Sequence, residues 1–390
     1  MILLLIEFYL YGKYKLLKEI LNKLISCKSI TPEDGGSMEF IQSFLAELGF
    51  STERFDKNGV KNLYAYKKGG EANICFGGHV DVVSIIDESK WFGNPFSLKE
   101  IDSKIYARGI VDMKGAIACY LNVVKELFDQ NEKLPSLSFV ITSDEEGDGL
   151  YGTKHVVECL KKAGKNFDLC IIGEPTSVNK IGDTLKIGRR GSLHGTIKVN
   201  ACGGHIAYPE NFVNPITILT KALFHLKNKK LDDGDKIFQK SNLEVYEISG
   251  GGHSNNVITY DAYAKFNIRF NDTWDENSLK IKINKILIDV LGEDIKYVSL
   301  KTSCNANAFR SKESKYIDVF KSVVDKLNDG DCKFSTSGGT SDARFLKDLS
   351  PVIECGLKNH SAHKINENSS WGDLKDLENI YRNVLKKFCN

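Results

Sequence analysis

The adjacent carboxylates of Glu145 and Glu146 stand in Thr142-Ser143-Asp144-Glu145-Glu146-Gly147-Asp148-Gly149, directly after the apolar run Leu137-Ser138-Phe139-Val140-Ile141. Two neighbouring glutamates repel unless positive charge lies between them, and a metal ion is the natural source of that charge. Three further stretches offer hard or borderline metal ligands after similar apolar runs: Gly78-His79-Val80-Asp81, Val111-Asp112-Met113-Lys114-Gly115 and Gly173-Glu174-Pro175. In an extended segment His79 and Asp81 share a face, and Asp81 suits the carboxylate that receives the second N–H of a ligating imidazole. Taken singly, each stretch has an ordinary explanation. His79 could be a packed histidine, Asp112 an N-cap, Glu145 and Glu146 a solvated turn, and Glu174-Pro175 the end of a strand. Taken together, four acidic or imidazole sites after strand-like runs point to one place, the carboxyl edge of a parallel sheet.

The elements that must position these groups are legible as alternating strands and helices. Helical spacing runs from Tyr14 to Ser26 and from Gly36 to Leu48, where Gly49 stops it. Strands are predicted at Asn62–Tyr66 and Asn73–Gly77, the second leading into His79. The short run Ile105-Tyr106-Ala107 precedes Val111, and Gly115 to Phe128 is a strongly apolar helix. Strand and helix continue through Leu137–Thr142, Gly152–Lys162 and Leu169–Gly173, an α/β order. Beyond Arg190 the pattern changes to strand Ser192–Asn200, helix Pro215–Lys227, strands Asn242–Ser249 and Val257–Phe270, helix Glu276–Val290 and strand Lys296–Leu300. That βαββαβ order is ferredoxin-like. Tyr316–Leu327 and Val352–Glu354 then return to the first style. We therefore expect a discontinuous α/β catalytic domain, residues 1–191 and 303–390, and an inserted α+β domain, 192–302.

Length and composition agree with two ordinary globular domains: 390 residues, 42% hydrophobic and 27% charged. A formal net charge of +2 of mixed sign leaves no footprint for nucleic acid, and Lys227-Asn228-Lys229-Lys230 reads as a solvated helix end. The ten cysteines include no C-x-x-C pair, so a reducing cytoplasm is expected rather than a disulfide framework. The apolar start Met1–Leu10 lacks a basic region, contains Glu7 and is too short to span a bilayer, so it reads as an extension or part of a docking helix. No membrane partner is expected.

The motifs G-G-H-V-D-V-V at 77–83, R-G-I-V-D-M-K-G at 108–115, T-S-D-E-E-G-D at 142–148 and G-E-P-T at 173–176 resemble the co-catalytic zinc M20 aminoacylase/deacylase peptidase family. R-R-G-S-L-H-G at 189–195, G-G-H-I-A-Y-P at 203–209, S-N-N-V-I at 254–258, F-N-I-R-F at 266–270, S-G-G-T-S-D-A-R-F at 337–345 and A-H-K-I-N-E at 362–367 resemble the branch that acts on N-succinyl-LL-2,6-diaminopimelate. The likeness runs from about residue 14 to the C-terminus, and its departures are Ser84, Thr259 and His253.

The resemblance implies a zinc-peptidase-like catalytic domain with a ferredoxin-like dimerisation or lid domain, and two zinc ions per subunit, with cobalt able to replace one. It implies that Asp112 bridges them, that His79 and Glu174 complete one site and Glu146 and His363 the other. Glu145 is implied as general base, and His205 as an oxyanion donor reaching the partner's site across a homodimer. Arg190, Asn255, Arg269, Gly339, Thr340 and Arg344 are implied as contacts to a small-molecule substrate, guanidiniums suiting its carboxylates. The alternatives are a related deacylase or dipeptidase of the family, such as an acetylornithine deacetylase, or a binding protein that has kept only the fold.

Overall fold

Four apolar runs, Pro135–Thr142, Gly70–His79, Leu169–Ile172 and Val352–Glu354, lie side by side and parallel at the centre of an eight-stranded sheet. The structure is a computed structural model describing residues 15–251 and 254–389; the apolar N-terminal extension and His253 lie outside the described residues. Every residue of Pro135–Thr142 is buried, as expected of a parallel strand covered on both faces. From edge to edge the order is Ser51–Arg54, Asn62–Lys67, Pro135–Thr142, Gly70–His79, Leu169–Ile172, Val352–Glu354, Thr184–Lys186 and Lys333–Ser335.

The sheet is mixed, where sequence alone suggested a parallel one. Ser51–Arg54 and Asn62–Lys67 pair antiparallel, and Asn62–Lys67 runs antiparallel to Pro135–Thr142. The physical reason is the connection: only Lys68 and Gly69 separate Asn62–Lys67 from Gly70–His79, too little chain for the crossover that two parallel strands need.

Helix Gly115–Asp129 is buried throughout Gly115–Val124, so it is an interior helix, as its apolar composition requires. Behind the sheet the rings of Phe76, Tyr120 and Tyr381 stack with centroid distances of 4.0 and 4.3 Å, and the Tyr381 hydroxyl donates to the Cys355 carbonyl at 2.5 Å. Each such side chain contributes about 1.5–3 kcal/mol by leaving water. All ten cysteines are free thiols, and Cys75, Cys119 and Cys170 pack as small hydrophobes in this core. Among the described residues no helix is long and apolar enough to cross a membrane.

The chain divides into two compact units, one of Met1–Ile187, Ser311–Ser335 and Ser341–Asn390, the other of Gly188–Arg310 and Thr336–Thr340. The segment Thr336–Thr340, which sequence reasoning left in the first domain, joins the second. Thr336 donates to the Ile237 carbonyl at 2.9 Å, and Arg189 donates to the Gly339 carbonyl at 3.2 Å.

The second unit is a four-stranded antiparallel sheet in the order Asn242–Gly250, Asp261–Phe270, Gly191–Asn200, Val298–Ala306. Helices Pro215–Asn228 and Glu276–Leu291 pack on it through Ile218, Leu219, Ala222, Leu279, Ile283 and Leu287, against Leu193, Ile197, Ala264, Phe266 and Ile268. The expected strand Val257–Phe270 is two strands. Val257–Ile258 pairs with Gly204–His205, and the main strand starts at Asp261, after a bend in which the Thr259 hydroxyl donates to the Asp261 carbonyl at 3.2 Å. The last strand begins at Val298 rather than Lys296, since Gly292–Tyr297 forms a tight helical turn.

Gly195 faces Phe266 across this sheet, and a Cβ there would lie 2.0 Å from the ring. Gly195→Ala is therefore expected to destabilise the unit by about 1–3 kcal/mol through overpacking. Denaturant unfolding checks this, and an unchanged midpoint contradicts it.

Candidate metal centre

Three central strands deliver the candidate groups to one edge. Gly70–His79 ends on His79, Pro135–Thr142 leads into Glu145 and Glu146, and Leu169–Ile172 leads into Glu174. Asp112 arrives from the turn Ile110–Lys114, where its φ of −126° and ψ of 93° depart from helical geometry. No side chain caps the following helix, so the N-cap explanation of Asp112 does not hold. Close approach of this turn to the strand ends depends on glycine. A Cβ at Gly78 or at Gly173 would lie 2.7 Å from the Met113 Cε, and at Gly173 also 2.5 Å from the Ala116 Cβ. His363 comes from the loop after Asn359–Ser361 and holds a left-handed φ of 63°, unusual for a residue with a side chain.

The donor atoms fall into two groups that share Asp112. His79, Asp112 and Glu174 form one, and Asp112, Glu146 and His363 the other, the atoms of each lying within 4.8 Å of one another. His79 Nε2 stands 3.1 Å from Asp112 Oδ1 and 3.6 Å from Glu174 Oε1. His363 Nε2 stands 3.1 Å from Asp112 Oδ2 and 2.7 Å from Glu146 Oε1. The two oxygens of one carboxylate thus face two different imidazoles. That is the arrangement a bridging carboxylate needs, and imidazole and carboxylate are good ligands for borderline metals, so the residues fit a metal site. Glu145 also falls in reach of this edge, in a third group with His79 and Glu146.

Electrostatics show the same demand for positive charge. Burial favours the neutral form of the His79 ring, yet the hydrogen bond with Asp112 and the charges of Glu145 and Asp81 raise its pKa well above the ordinary value. Hydrogen bonds with Asp112 and Glu146 raise that of His363 to about 10. Burial pushes the Glu145 carboxyl well above the usual range, with Asp342, Glu146 and Asp112 adding to it against the pull of His79.

Asp81 holds the site together differently from the sequence expectation. The atom 2.9 Å from His79 Nδ1 is the Asp81 backbone carbonyl, while its carboxylate lies 3.6 Å away. That carboxylate instead accepts from the backbone N–H groups of Glu145 at 3.3 Å and Glu146 at 3.0 Å, tying two strand ends to each other.

Sequence reasoning gave no role to three buried residues nearby, Arg108, Glu367 and Asp342. Asp342 accepts from the Thr153 hydroxyl at 2.7 Å, and burial raises its carboxyl to about 6. Arg108 and Glu367 stood inside noted motifs, but 259 positions separate them, and only the folded chain reveals that they pair.

Of the substrate-contact candidates, Arg344 belongs to the first unit, its guanidinium 4.6 Å from the Phe345 ring centroid. Arg190, Asn255, Arg269, Gly339 and Thr340 belong to the second, as does His205, the candidate oxyanion donor. Arg190 donates to Asn242 Oδ1 at 3.0 Å, and its pKa is lowered by burial and by the nearby Arg269 guanidinium. His205 is exposed on the short strand Gly204–His205, with Nδ1 accepting from the Ala207 N–H at 3.1 Å. Asn255 is exposed in the turn before Val257.

Residues 75–387 match Peptidase family M20/M25/M40. A protein of Orientia tsutsugamushi (strain Ikeda) named succinyl-diaminopimelate desuccinylase is 44% identical over 382 residues, 96% of each chain. Its namesake from Rickettsia akari (strain Hartford) is 43% identical over 374 residues, 94% of this chain and 98% of that one. A Bacillus subtilis structure described as a dinuclear metal binding peptidase from the M20 family superposes with a TM-score of 0.69 at 12% identity, covering 96% of this chain and 98% of the other.

Proposed function

We infer the reaction from one premise: the chain belongs to Peptidase family M20/M25/M40. It is a metal-dependent amide hydrolase, a succinyl-diaminopimelate desuccinylase. It cleaves N-succinyl-LL-2,6-diaminopimelate to succinate and LL-2,6-diaminopimelate on the way to lysine and peptidoglycan precursors. The pair of donor groups sharing Asp112 carries the metal dependence, and the identity of 43–44% to desuccinylases carries the substrate.

His79, Asp112 and Glu174 would hold one zinc ion and Asp112, Glu146 and His363 the other, with cobalt able to take one of the places. When bound, the metal pair supplies Lewis acidity for the scissile carbonyl and for an attacking water. Glu145 lies in reach of the same edge, grouped with His79 and Glu146, where a carboxylate can gain and lose a proton during turnover. Glu145 takes a proton from water as the water oxygen bonds to the amide carbon, then gives that proton to the nitrogen as the C–N bond breaks. Asp81 keeps Glu145 and Glu146 in register by accepting both of their backbone N–H groups.

The second unit supplies recognition and, in a homodimer, the oxyanion donor His205 of the partner subunit. Arg190 and Arg269 place like charges near each other, which a substrate carboxylate relieves. Asn255, Gly339, Thr340 and Arg344 complete the substrate contacts. Asn242–Gly250 is an edge strand with Tyr246 and Ile248 exposed, and Phe224 is exposed on the neighbouring helix, a surface suited to pairing with a second copy. Ten cysteines without a disulfide and a biosynthetic substrate support a cytoplasmic setting.

Succinate release from N-succinyl-LL-2,6-diaminopimelate should stop on chelation and return with zinc; turnover that survives exhaustive chelation contradicts the reading. His363→Ala should weaken one metal equivalent and spare the other, since His79, Asp112 and Glu174 stay complete. Metal titration checks this, and equal loss of both equivalents contradicts the division of ligands.

A further inference from the structure

We propose that Arg108 and Glu367 are positioning residues that together fix where Asp112 and His363 stand relative to each other. The inference rests on the assignment of those two residues as ligands of one metal ion.

Asp112 and His363 come from segments far apart in sequence, and neither lies in a regular strand or α-helix that would hold it. Glu367 lies four residues beyond His363, and its carboxylate reaches into the Asp112 segment, where it accepts from four donors. Oε2 takes Arg108 Nη1 at 2.8 Å and the Gly109 N–H at 3.0 Å; Oε1 takes the Val111 N–H at 2.8 Å and the Asp112 N–H at 3.2 Å. The Glu367 carbonyl also accepts the Ala107 N–H at 3.0 Å. One side chain thus orders the backbone from Arg108 to the bridging aspartate. Arg108 closes the connection from the other side. Its Nη2 donates to the His363 carbonyl at 3.4 Å, and its guanidinium lies 5.0 Å from the Trp91 ring centroid.

Both charged side chains are only 1% exposed. Both Glu367 oxygens are fully engaged and both terminal nitrogens of Arg108 donate, while Arg108 Nε has no hydrogen-bond partner among the described residues; removing either charge would leave the other buried and uncompensated, so this pair is held more firmly than a surface pair. In the loop it anchors, His363 and Asn366 both take left-handed backbone, φ 63° and 58°, which is uncommon for residues with a side chain although Asn and His adopt it more readily than most. The Ser361 hydroxyl closes the same loop, donating to the Asn368 carbonyl at 2.8 Å and accepting its N–H at 3.0 Å. The four donors explain why a carboxylate stands at 367. An amide there presents an N–H group to one of the two pairs of donors it would have to satisfy.

The test uses Glu367→Gln and Arg108→Lys in the full chain, with zinc affinity read by competition against a chelator and the cobalt absorption spectrum as a second readout. The equivalent held by Asp112, Glu146 and His363 is expected to bind about 10–100-fold more weakly, with an altered cobalt spectrum, and the other, which shares only Asp112, to weaken less. The value of kcat falls with it while KM holds. A purely structural ion pair would lower thermal stability and leave the affinity and spectrum of the folded fraction unchanged, and that result overturns the proposal. Should Glu367→Gln not fold, Arg108→Lys, which keeps the charge and loses the fork, decides it on the same readouts. Wild-type protein that binds no metal would instead overturn the assignment of the site.

Discussion

Glu145→Ala is expected to bind both metal equivalents as the wild type does and to lose turnover by about 10²–10⁴-fold. The two donor groups that share Asp112 are complete without it, so the substitution removes a proton carrier and leaves those ligands in place. Its neighbour should behave in the opposite way. Glu146 Oε1 lies 2.7 Å from His363 Nε2, so Glu146→Ala should weaken metal as well as turnover. Parallel metal analysis and succinate release on both variants separate the roles. Near-normal activity in Glu145→Ala, or loss of both metals from it, would show that the two glutamates are exchanged or that neither acts as proposed.

His205→Ala is expected to lower kcat by about 10²–10³-fold, the scale for removing one donor aimed at a developing oxyanion. The residue is exposed on a short strand of the second unit, so its removal leaves that unit's core and the metal ligands untouched. If it acts across the dimer, mixing inactive Glu145→Ala subunits with inactive His205→Ala subunits restores activity, because each mixed dimer contains one site with both groups intact. No recovery after confirmed subunit exchange would place His205 in its own subunit's site or outside the mechanism.

Much of the candidate edge was legible because buried parallel strands are written as continuous apolar runs. The chemistry at 79, 145, 146 and 174 follows such runs directly. His363 follows no strand-like run, and only the family resemblance pointed to it. The antiparallel placing of Asn62–Lys67 hangs on a two-residue connection, which periodicity alone does not weigh. The break between Ile258 and Asp261 was hidden because the apolar pattern continues across a bend set by a single threonine hydroxyl. Thr336–Thr340 changes units through long-range hydrogen bonds with no local signal. Asp81 was expected to meet His79 through its carboxylate. That group turns instead to two backbone N–H groups, since a carboxylate at a strand end is as well suited to capturing amide donors as to orienting an imidazole. Arg108 and Glu367 illustrate the same limit: each sits in a noted motif, but which residue it satisfies depends on the folded chain.

The decisive measurement is kcat/KM of the zinc-loaded chain for N-succinyl-LL-2,6-diaminopimelate and for N-acetylornithine, made side by side in one preparation of known metal content. Efficient release of succinate with little or no release of acetate is the expected result. Preference for the acetyl substrate, or no hydrolysis of either by protein carrying its full metal complement, would contradict the assignment as a desuccinylase.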